Sequence, residues 1–548
     1  MKKWFQEQEK YITFFAFLAI MLAACSPLIT KLCINGHDLE YHLLRIESLK
    51  EGILAGRPFA RVNLLYFGGA GYASSLFYPD FLLYLPAILR ALGVGINACY
   101  HIFVAVVIVL TGLSAMWCTK RMTGSGYAGV TAAALLTLSP YYLGDIFVRS
   151  AVGEYTAFIF LPFVILGIYN VLYEEADRPW TLGLGYGGVL LCHTNTFLFC
   201  LLFGLVAFLV KWKVFKNLSV LRKLFVTIVV TAGLTMFYWA PLLEMMLTTP
   251  LYVNDAWIGL EQTAKPFYEI FSPAFPGLGV LLFCLALFRI LIRKNAQNRE
   301  LVDYADWLLF GGCVFAFLAT DLLPWKRLNA VLSFVQFPWR FFVLATAMLA
   351  VADAILIAQF VKASLEPLMQ GGKKLVMVLV LMFSIAGGLG FLSSAGITYY
   401  DYSDDYYSHK PFTANVIAGE WLPKTVENRE TLIEDSEHLY TDTGEELPFV
   451  RGKGSVEATI DKFYNYADVP LIYYRGYRAY VGGDRVNVSA GRNGMCRVEL
   501  NGRMGTMTVK YAGTFLQHFS SISSLLVLVL LIVLTQYKKN KQKKEEKS

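Results

Sequence analysis

Charge is scarce in this chain: Lys, Arg, Asp and Glu make up 16% of its 548 residues, where soluble domains carry about 25%. That scarcity excludes an ordinary soluble fold. The formal net charge of +7 is small for the length. It sits in short clusters between apolar blocks, as in the terminal KKNKQKKEEKS, and clusters beside apolar spans read as cytoplasmic anchors. No zinc finger, RNA-binding or helix-turn-helix pattern accompanies them, so no nucleic-acid partner is expected. The nine cysteines include no CxxC. A disulfide scaffold and a zinc site are therefore disfavoured, and a Cys33–Cys496 pair is open only as a minor alternative. His37 and His42 are five apart, a poor metal spacing on a helix. No internal repeat and no long low-complexity segment is present.

What is present is apolar residues in long blocks. TFFAFLAIMLAAC, HIFVAVVIVLTGLSAMW and SLLVLVLLIVL approach or exceed the length that crosses about 30 Å of hydrocarbon once flanks are included. Spans are expected near 11–30, 98–117, 126–143, 155–173, 181–193, 195–211, 222–247, 272–293, 305–321, 338–361, 374–397 and 518–537, about twelve in all. The first ends in Leu22-Ala23-Ala24-Cys25, which resembles a lipoprotein cleavage box. Its apolar run continues through Ile29, so it is read as a transmembrane helix. With both termini inside, Lys120-Arg121, Lys211 to Lys223, Arg293-Lys294, Lys362 to Lys374 and the tail all become cytoplasmic, which satisfies the positive-inside rule. Residues 75–93 would invert this frame if they crossed. Pro79, Asp80, Pro86 and Arg90 favour an interfacial or re-entrant helix there.

This frame divides the chain into three parts. Residues 1–397 form a polytopic membrane domain with a first outer loop at 31–97. Residues 398–517 form an extracytoplasmic domain. Residues 518–548 form a last span with a basic tail. DRVNVSA, MCRVELNG and GTMTVKYAG alternate with period two between Gly and Asn turns, so the outer domain is expected to be a small antiparallel β-sandwich.

Four polar clusters fall on the outer side under this single topology. In HDLEYHLLRIESLKEGILAG, Asp38, His42 and Arg45 stand at i, i+4 and i+7 and share one face of a helix. Two readings stay open there. One is a carboxylate, imidazole and guanidinium that bind phosphate and activate a hydroxyl; the other is an N-cap and two solvated side chains. SPYYLGDIFVRSAVGEYTAF places Asp145, Arg149 and Glu154 at a membrane boundary, where ionisable groups are functional candidates. QFPWRFF places Gln336, Trp339 and Arg340 at the start of another span, as a phosphate clamp or an interfacial belt. LLCHTNTF contributes His193 and Asn195, as substrate contacts or a satisfied polar kink.

HDLEYHLLRI, LFYPDFLLYLPAIL, SPYYLGDIFVRSAVGEYTAF and QFPWRF, in that order, resemble the bacterial membrane family labelled "6-pyruvoyl-tetrahydropterin synthase-related". GEWLP and YYRGYRAYV resemble the C-terminal domain of the similar YfhO-type proteins. The histidine zinc site and small α+β fold of the soluble pterin synthase have no counterpart here. The architecture instead resembles GT-C glycosyltransferases. That resemblance implies an inverting enzyme that takes a sugar from a polyprenyl-phosphate donor on the outer face, with a cell-wall glycan or a lipid as acceptor. Asp38 would take the position of the family's acidic residue in the first outer loop. Glu154 would be a second acid, and Arg149 and Arg340 would meet the donor phosphate, with His42, Arg45, Asp145, His193 and Trp339 as further substrate contacts. No Asp-x-Asp is present, so a divalent metal, with Asp38 as a possible ligand, stays open. A lipid or polysaccharide flippase and a non-catalytic envelope scaffold are the rival readings. The flippase should show inverted repeats and polar groups at mid-bilayer.

Overall fold

The computed structural model describes residues 2–254, 259–292, 298–362, 367–402 and 419–545. Arg293-Lys294, the linker 363–366, the start of the expected outer domain at 403–418 and the last residues of the tail, 546–548, lie outside them.

Seven helices are long and apolar enough to cross a membrane: Ile96–Thr123, Val152–Tyr173, Leu218–Thr248, Arg299–Leu318, Pro338–Lys362, Leu375–Ser394 and Phe515–Lys543. An eighth span results if Gly126–Thr137 and Pro140–Arg149, bent by 47° at their junction, are taken together. The protein is thus a multi-pass membrane protein. The bend has a local cause. Ser139 accepts a hydrogen bond from the Tyr142 amide and Pro140 opens the next helix, so capping and the missing proline donor end one helix and start another.

Of the remaining expected spans, 11–30 falls largely on the continuous helix Lys2–Ala24, whereas the others differ from the continuous apolar runs in the sequence. Trp180–Leu190 and Thr194–Val210 have 11 and 17 residues. The segment at 272–293 is broken into Val280–Ala286 and Phe288–Leu291. Hydropathy registers apolar length, and these breaks interrupt the helix without adding charge. Residues 75–93 are also broken. Ser74–Phe77 stops before Pro79, and the apolar helix that follows covers Phe81–Ala91. Its 11 residues rise about 16 Å, roughly half of a hydrocarbon core.

The chain forms two compact units. The first comprises Met1–Leu39, Asn97–Thr231 and Ile258–Tyr402. Its central helix Phe342–Lys362 is buried on every side along Phe342–Gln359. Asp353 lies on that helix, and neither of its carboxylate oxygens has a hydrogen-bond partner among the described residues. A two-residue antiparallel ladder joins Cys33–Ile34 to Tyr399–Tyr400. The cysteines, Cys33 and Cys496 included, are free thiols.

The second unit comprises Glu40–Ile96, Ala232–Trp257 and Ser403–Ser548. It holds two antiparallel sheets. One orders Tyr440–Thr441, Tyr466–Ile472, Met495–Glu499 and Val488–Ala490; the other orders Phe449–Arg451, Ser455–Ile460, Gly505–Tyr511, Tyr477–Val481 and Asp484–Val486. Val456, Ala458 and Ile460 are buried while Glu457 and Thr459 are exposed, the alternation expected of a sheet with one covered face. Residues 40–96, expected as most of the first outer loop, group with these sheets in the second unit. The Ile472 amide donates to Ala70 O at 2.8 Å and Arg451 Nη1 donates to Gly69 O at 2.8 Å. Phe77 stacks on Trp421 with centroids 4.7 Å apart.

Candidate active site

The first unit gathers residues that are far apart in sequence around one ionic cluster. Its supports are local. Residues 35–38, which end in a turn at His37-Asp38, are pinned by backbone bonds. The Asn35 amide donates to Thr398 O at 2.8 Å, His37 to Val148 O at 3.2 Å and Asp38 to Arg149 O at 2.8 Å. Gly36 is required for this approach, because a Cβ there would lie 2.1 Å from Ser150 Oγ. Ser150 itself is left-handed, at φ +56°, and ends the wide π turn Asp145–Arg149. That turn sets Asp145 and Arg149 on one side of the helix end.

Arg149 is the centre of the cluster. Its Nη1 lies 2.9 Å from Asp145 Oδ1 and 3.0 Å from Glu154 Oε1, while Nη2 is 3.9 Å from Asp38 Oδ2. Arg340 reaches the same Glu154 oxygen through Nε at 3.0 Å and holds Gln336 Oε1 through Nη1 at 2.7 Å. Tyr141 donates its hydroxyl to Glu154 Oε2 at 3.0 Å. Gln336, at φ +60°, occupies backbone space that a non-glycine residue seldom enters, and such strain concentrates at functional sites.

The three carboxylates are not equivalent. The side chains of Asp145 and Glu154 are 0% and 1% exposed, whereas that of Asp38 is 32% exposed. Asp38 alone presents its carboxylate to the outside. Burial, the largest influence, pushes its pKa above the usual carboxylate range. Arg149 pulls the other way and Glu154 adds to the rise. A carboxylate that holds protons more strongly than usual is the better proton acceptor.

Glu154, expected as a second acid, instead anchors both arginines and Tyr141, with no part of it exposed to receive a substrate. His193 is buried, with Nδ1 2.8 Å from Thr196 Oγ1, and interacts electrostatically with Glu154. Asn195 donates to Phe334 O at 3.1 Å. Trp339 stacks on Phe337 with centroids 4.6 Å apart and takes the Lys265 ammonium over its ring at 5.1 Å. Its Nε1 is buried without a partner among the described residues.

His42 and Arg45 have another role. They belong to the second unit, on the helix Leu39–Leu54. Arg45 is 0% exposed. Its Nε and Nη2 donate to Asp80 Oδ1 at 3.1 and 2.5 Å, Nη2 also donates to Pro79 O at 2.8 Å, and Nη1 lies 3.1 Å from His42 Nδ1. The Tyr78 ring lies 4.4 Å from the guanidinium. Every nitrogen of Arg45 is engaged, so this arginine closes residues 78–80 against the helix. It offers nothing to a phosphate. The solvated-side-chain alternative fails as well, because Arg45 is fully buried. Asp80 was the missing partner.

Sequence reading also missed Tyr141 and the support that Gly36 and Ser150 give to Asp38. The Tyr-Tyr pair after Ser139-Pro140 was the available signal. No group of three or more His, Cys, Asp or Glu side chains among the described residues is placed to hold a metal ion. Asp145 Oδ1 and Glu154 Oε1 face the Arg149 guanidinium, Glu154 Oε2 accepts from Tyr141, and Asp145 Oδ2 is buried with no hydrogen-bond partner among the described residues.

No family model matches the chain. A curated relative, an uncharacterized protein of Lactococcus lactis subsp. cremoris, is 20% identical over 310 residues, covering 53% of this chain and 50% of the relative. The chain thus matches about half the length of that relative. Among solved structures, the arabinofuranosyltransferase AftD from Mycobacteria is similar at 13% identity, over 70% of this chain and 26% of that one, with a TM-score of 0.41. The archaeal oligosaccharyltransferase AglB from Archaeoglobus fulgidus, in complex with an inhibitory peptide and a dolichol-phosphate, is similar at 14% identity, over 71% of this chain and 56% of that one, with a TM-score of 0.41.

Proposed function

We propose that the protein is a GT-C-type membrane glycosyltransferase that moves a sugar from a polyprenyl-phosphate donor to a cell-envelope glycan or lipid acceptor on the outer face. The observation that carries this reading is the division of labour in the cluster: one half-exposed carboxylate beside two arginines that buried carboxylates hold in place. In this reading Asp38 accepts the proton of the acceptor hydroxyl. The acceptor oxygen attacks the anomeric carbon, the bond from that carbon to the phosphate oxygen breaks, and the phosphate departs with the electron pair. Direct displacement inverts the anomeric centre. Arg149 and Arg340 meet the charge that grows on the leaving phosphate. Arg340 Nη2 makes no hydrogen bond among the described residues, which leaves donors for phosphate oxygens. Glu154, Asp145 and Tyr141 position the arginines and do not touch substrate.

Orientation follows from the same proposal. The basic clusters at Lys120-Arg121 and Lys211 to Lys223 would be cytoplasmic, with both termini, and the Asp38 segment would face out. The helix Lys2–Ala24, the shorter helices Trp180–Leu190 and Thr194–Val210 and the segment Val280–Leu291 would complete the twelve-span frame, the short ones lengthened by flanking residues or local thinning of the bilayer.

The test is mass spectrometry of envelope glycopolymers and polyprenyl-linked sugars in a deletion strain and in that strain complemented with wild type. The proposal expects one sugar decoration to vanish on deletion and return on complementation, with its lipid-linked donor accumulating meanwhile. Unchanged glycans and unchanged lipid-linked sugars in the deletion strain would overturn it.

A further inference from the structure

The second unit contains a cleft of about 170 Å³ that the proposed reaction does not use, lined by Ser48, Glu51, Gly52, Leu54, Arg57, Val62, Leu64, Lys453 and Gly454 among others. It is smaller than the roughly 300–1,000 Å³ of sites for drug-sized ligands, which suits one sugar unit. Of its polar side chains, Asn63 is held by Ser74 and Ser75, whereas Ser48, Arg57 and Lys453 are unspent. Ser48 is 6% exposed and its Oγ has no hydrogen-bond partner among the described residues. A buried hydroxyl left in that state costs stability unless something binds it. Arg57 and Lys453 form no ion pair with any described acid. Glu51, the acid of the lining, is held by Lys50 at 3.3 Å.

The cleft is also shaped in advance. Gly454 stands at φ +114°, and a Cβ there would fall 1.5 Å from Arg57 Nη1. The Gly452-Lys453-Gly454 loop thus leaves its backbone bare so that the guanidinium can lie against it. Leu54, Val62, Leu64 and Leu65 supply apolar lining. Two cations, a buried hydroxyl and apolar lining match the chemistry of a charged sugar, which offers C–H groups, hydroxyls and an anionic substituent.

We propose that this cleft binds one anionic sugar unit, a single ring carrying a carboxylate or a phosphate, independently of the reaction proposed for the first unit. Its ligand would be one residue of an acidic envelope glycan.

The experiment is titration of the purified full chain in nanodiscs, followed by saturation-transfer NMR. The probes are glucuronate, glucose 6-phosphate, glucose and inorganic phosphate, and the proteins are wild type, Ser48→Ala, Arg57→Gln and Asp38→Asn. Because a charge-assisted hydrogen bond is worth about one decade of affinity, at least one of the two anionic sugars should bind about tenfold tighter than both glucose and inorganic phosphate. Arg57→Gln should lose about that factor and Ser48→Ala about threefold, each with an unchanged thermal midpoint. Asp38→Asn should bind like wild type, which separates this cleft from the reaction site. Absence of saturable binding, glucose or phosphate as tight as the tighter-binding sugar anion, or unchanged affinity in both Arg57→Gln and Ser48→Ala would overturn the proposal.

Discussion

The two units each enclose an arginine–carboxylate cluster, and the two are built to opposite ends. Arg45 in the second unit is saturated. Asp80, two backbone carbonyls and His42 take its nitrogens, and the pair is 0% and 8% exposed. The cluster of the first unit is incomplete by design. Asp38, Asp145 and Glu154 outnumber Arg149 and Arg340, and one of the acids opens outward. A closed pair fixes a loop, while a cluster with a spare acid and spare guanidinium donors can accept a substrate. Residue types alone do not separate the two cases. Saturation of the donors does.

The largest effect should come from Asp38→Asn. Loss of a general base lowers the rate by about 10²–10⁴-fold, so the kcat of sugar transfer should fall by that much. The thermal midpoint should hold or rise. Burial raises the folded-state pKa of Asp38, so its ionised form destabilises the fold at neutral pH. Amidation removes that cost.

Next comes Arg45→Met, which strands the nearly buried Asp80. Breaking a buried pair from one side costs about 3–5 kcal/mol, and thermal denaturation in detergent should show it. Arg45→Met with Asp80→Leu should recover most of the loss, because no charge is then left unpaired. In the first unit the analogous rescue should restore stability without activity: Glu154→Gln lowers both, and no second substitution at Arg149 or Arg340 returns transfer.

A smaller effect concerns pH. A base works deprotonated, so kcat/KM should fall as pH drops through the pKa of Asp38, with the acid limb above the ordinary aspartate value. Arg149 pulls that pKa down, so Arg149→Met should move the limb to higher pH. A limb that stays in place would show that Asp38 does not titrate in the reaction. The smallest expected change is Asp353→Leu. It removes a carboxylate with no described partner, and should raise the thermal midpoint slightly.

The sequence made part of this legible. Arg149, Glu154 and Arg340 stood out because charges beside apolar spans are few, and the structure joins all three. The alternation in GTMTVKYAG marked a strand that is present at Gly505–Tyr511. Helical spacing misled at Asp38, His42 and Arg45, because the helix starts at Leu39 and Asp38 precedes it in a turn. Arg45's partner lies 35 residues away, beyond any local pattern. Hydropathy also cannot register breaks such as Ser139-Pro140, where capping and a missing amide donor turn the chain while the composition stays apolar.

The most direct test of the central claim is complementation of the deletion strain with Asp38→Asn at protein levels matched to wild type, read by mass spectrometry of the envelope glycans. The account predicts that the decoration stays absent while the lipid-linked donor accumulates, although the variant folds and inserts normally. Full restoration of the decoration by Asp38→Asn would contradict it, and would reduce Asp38 to a structural residue at the edge of an ionic cluster.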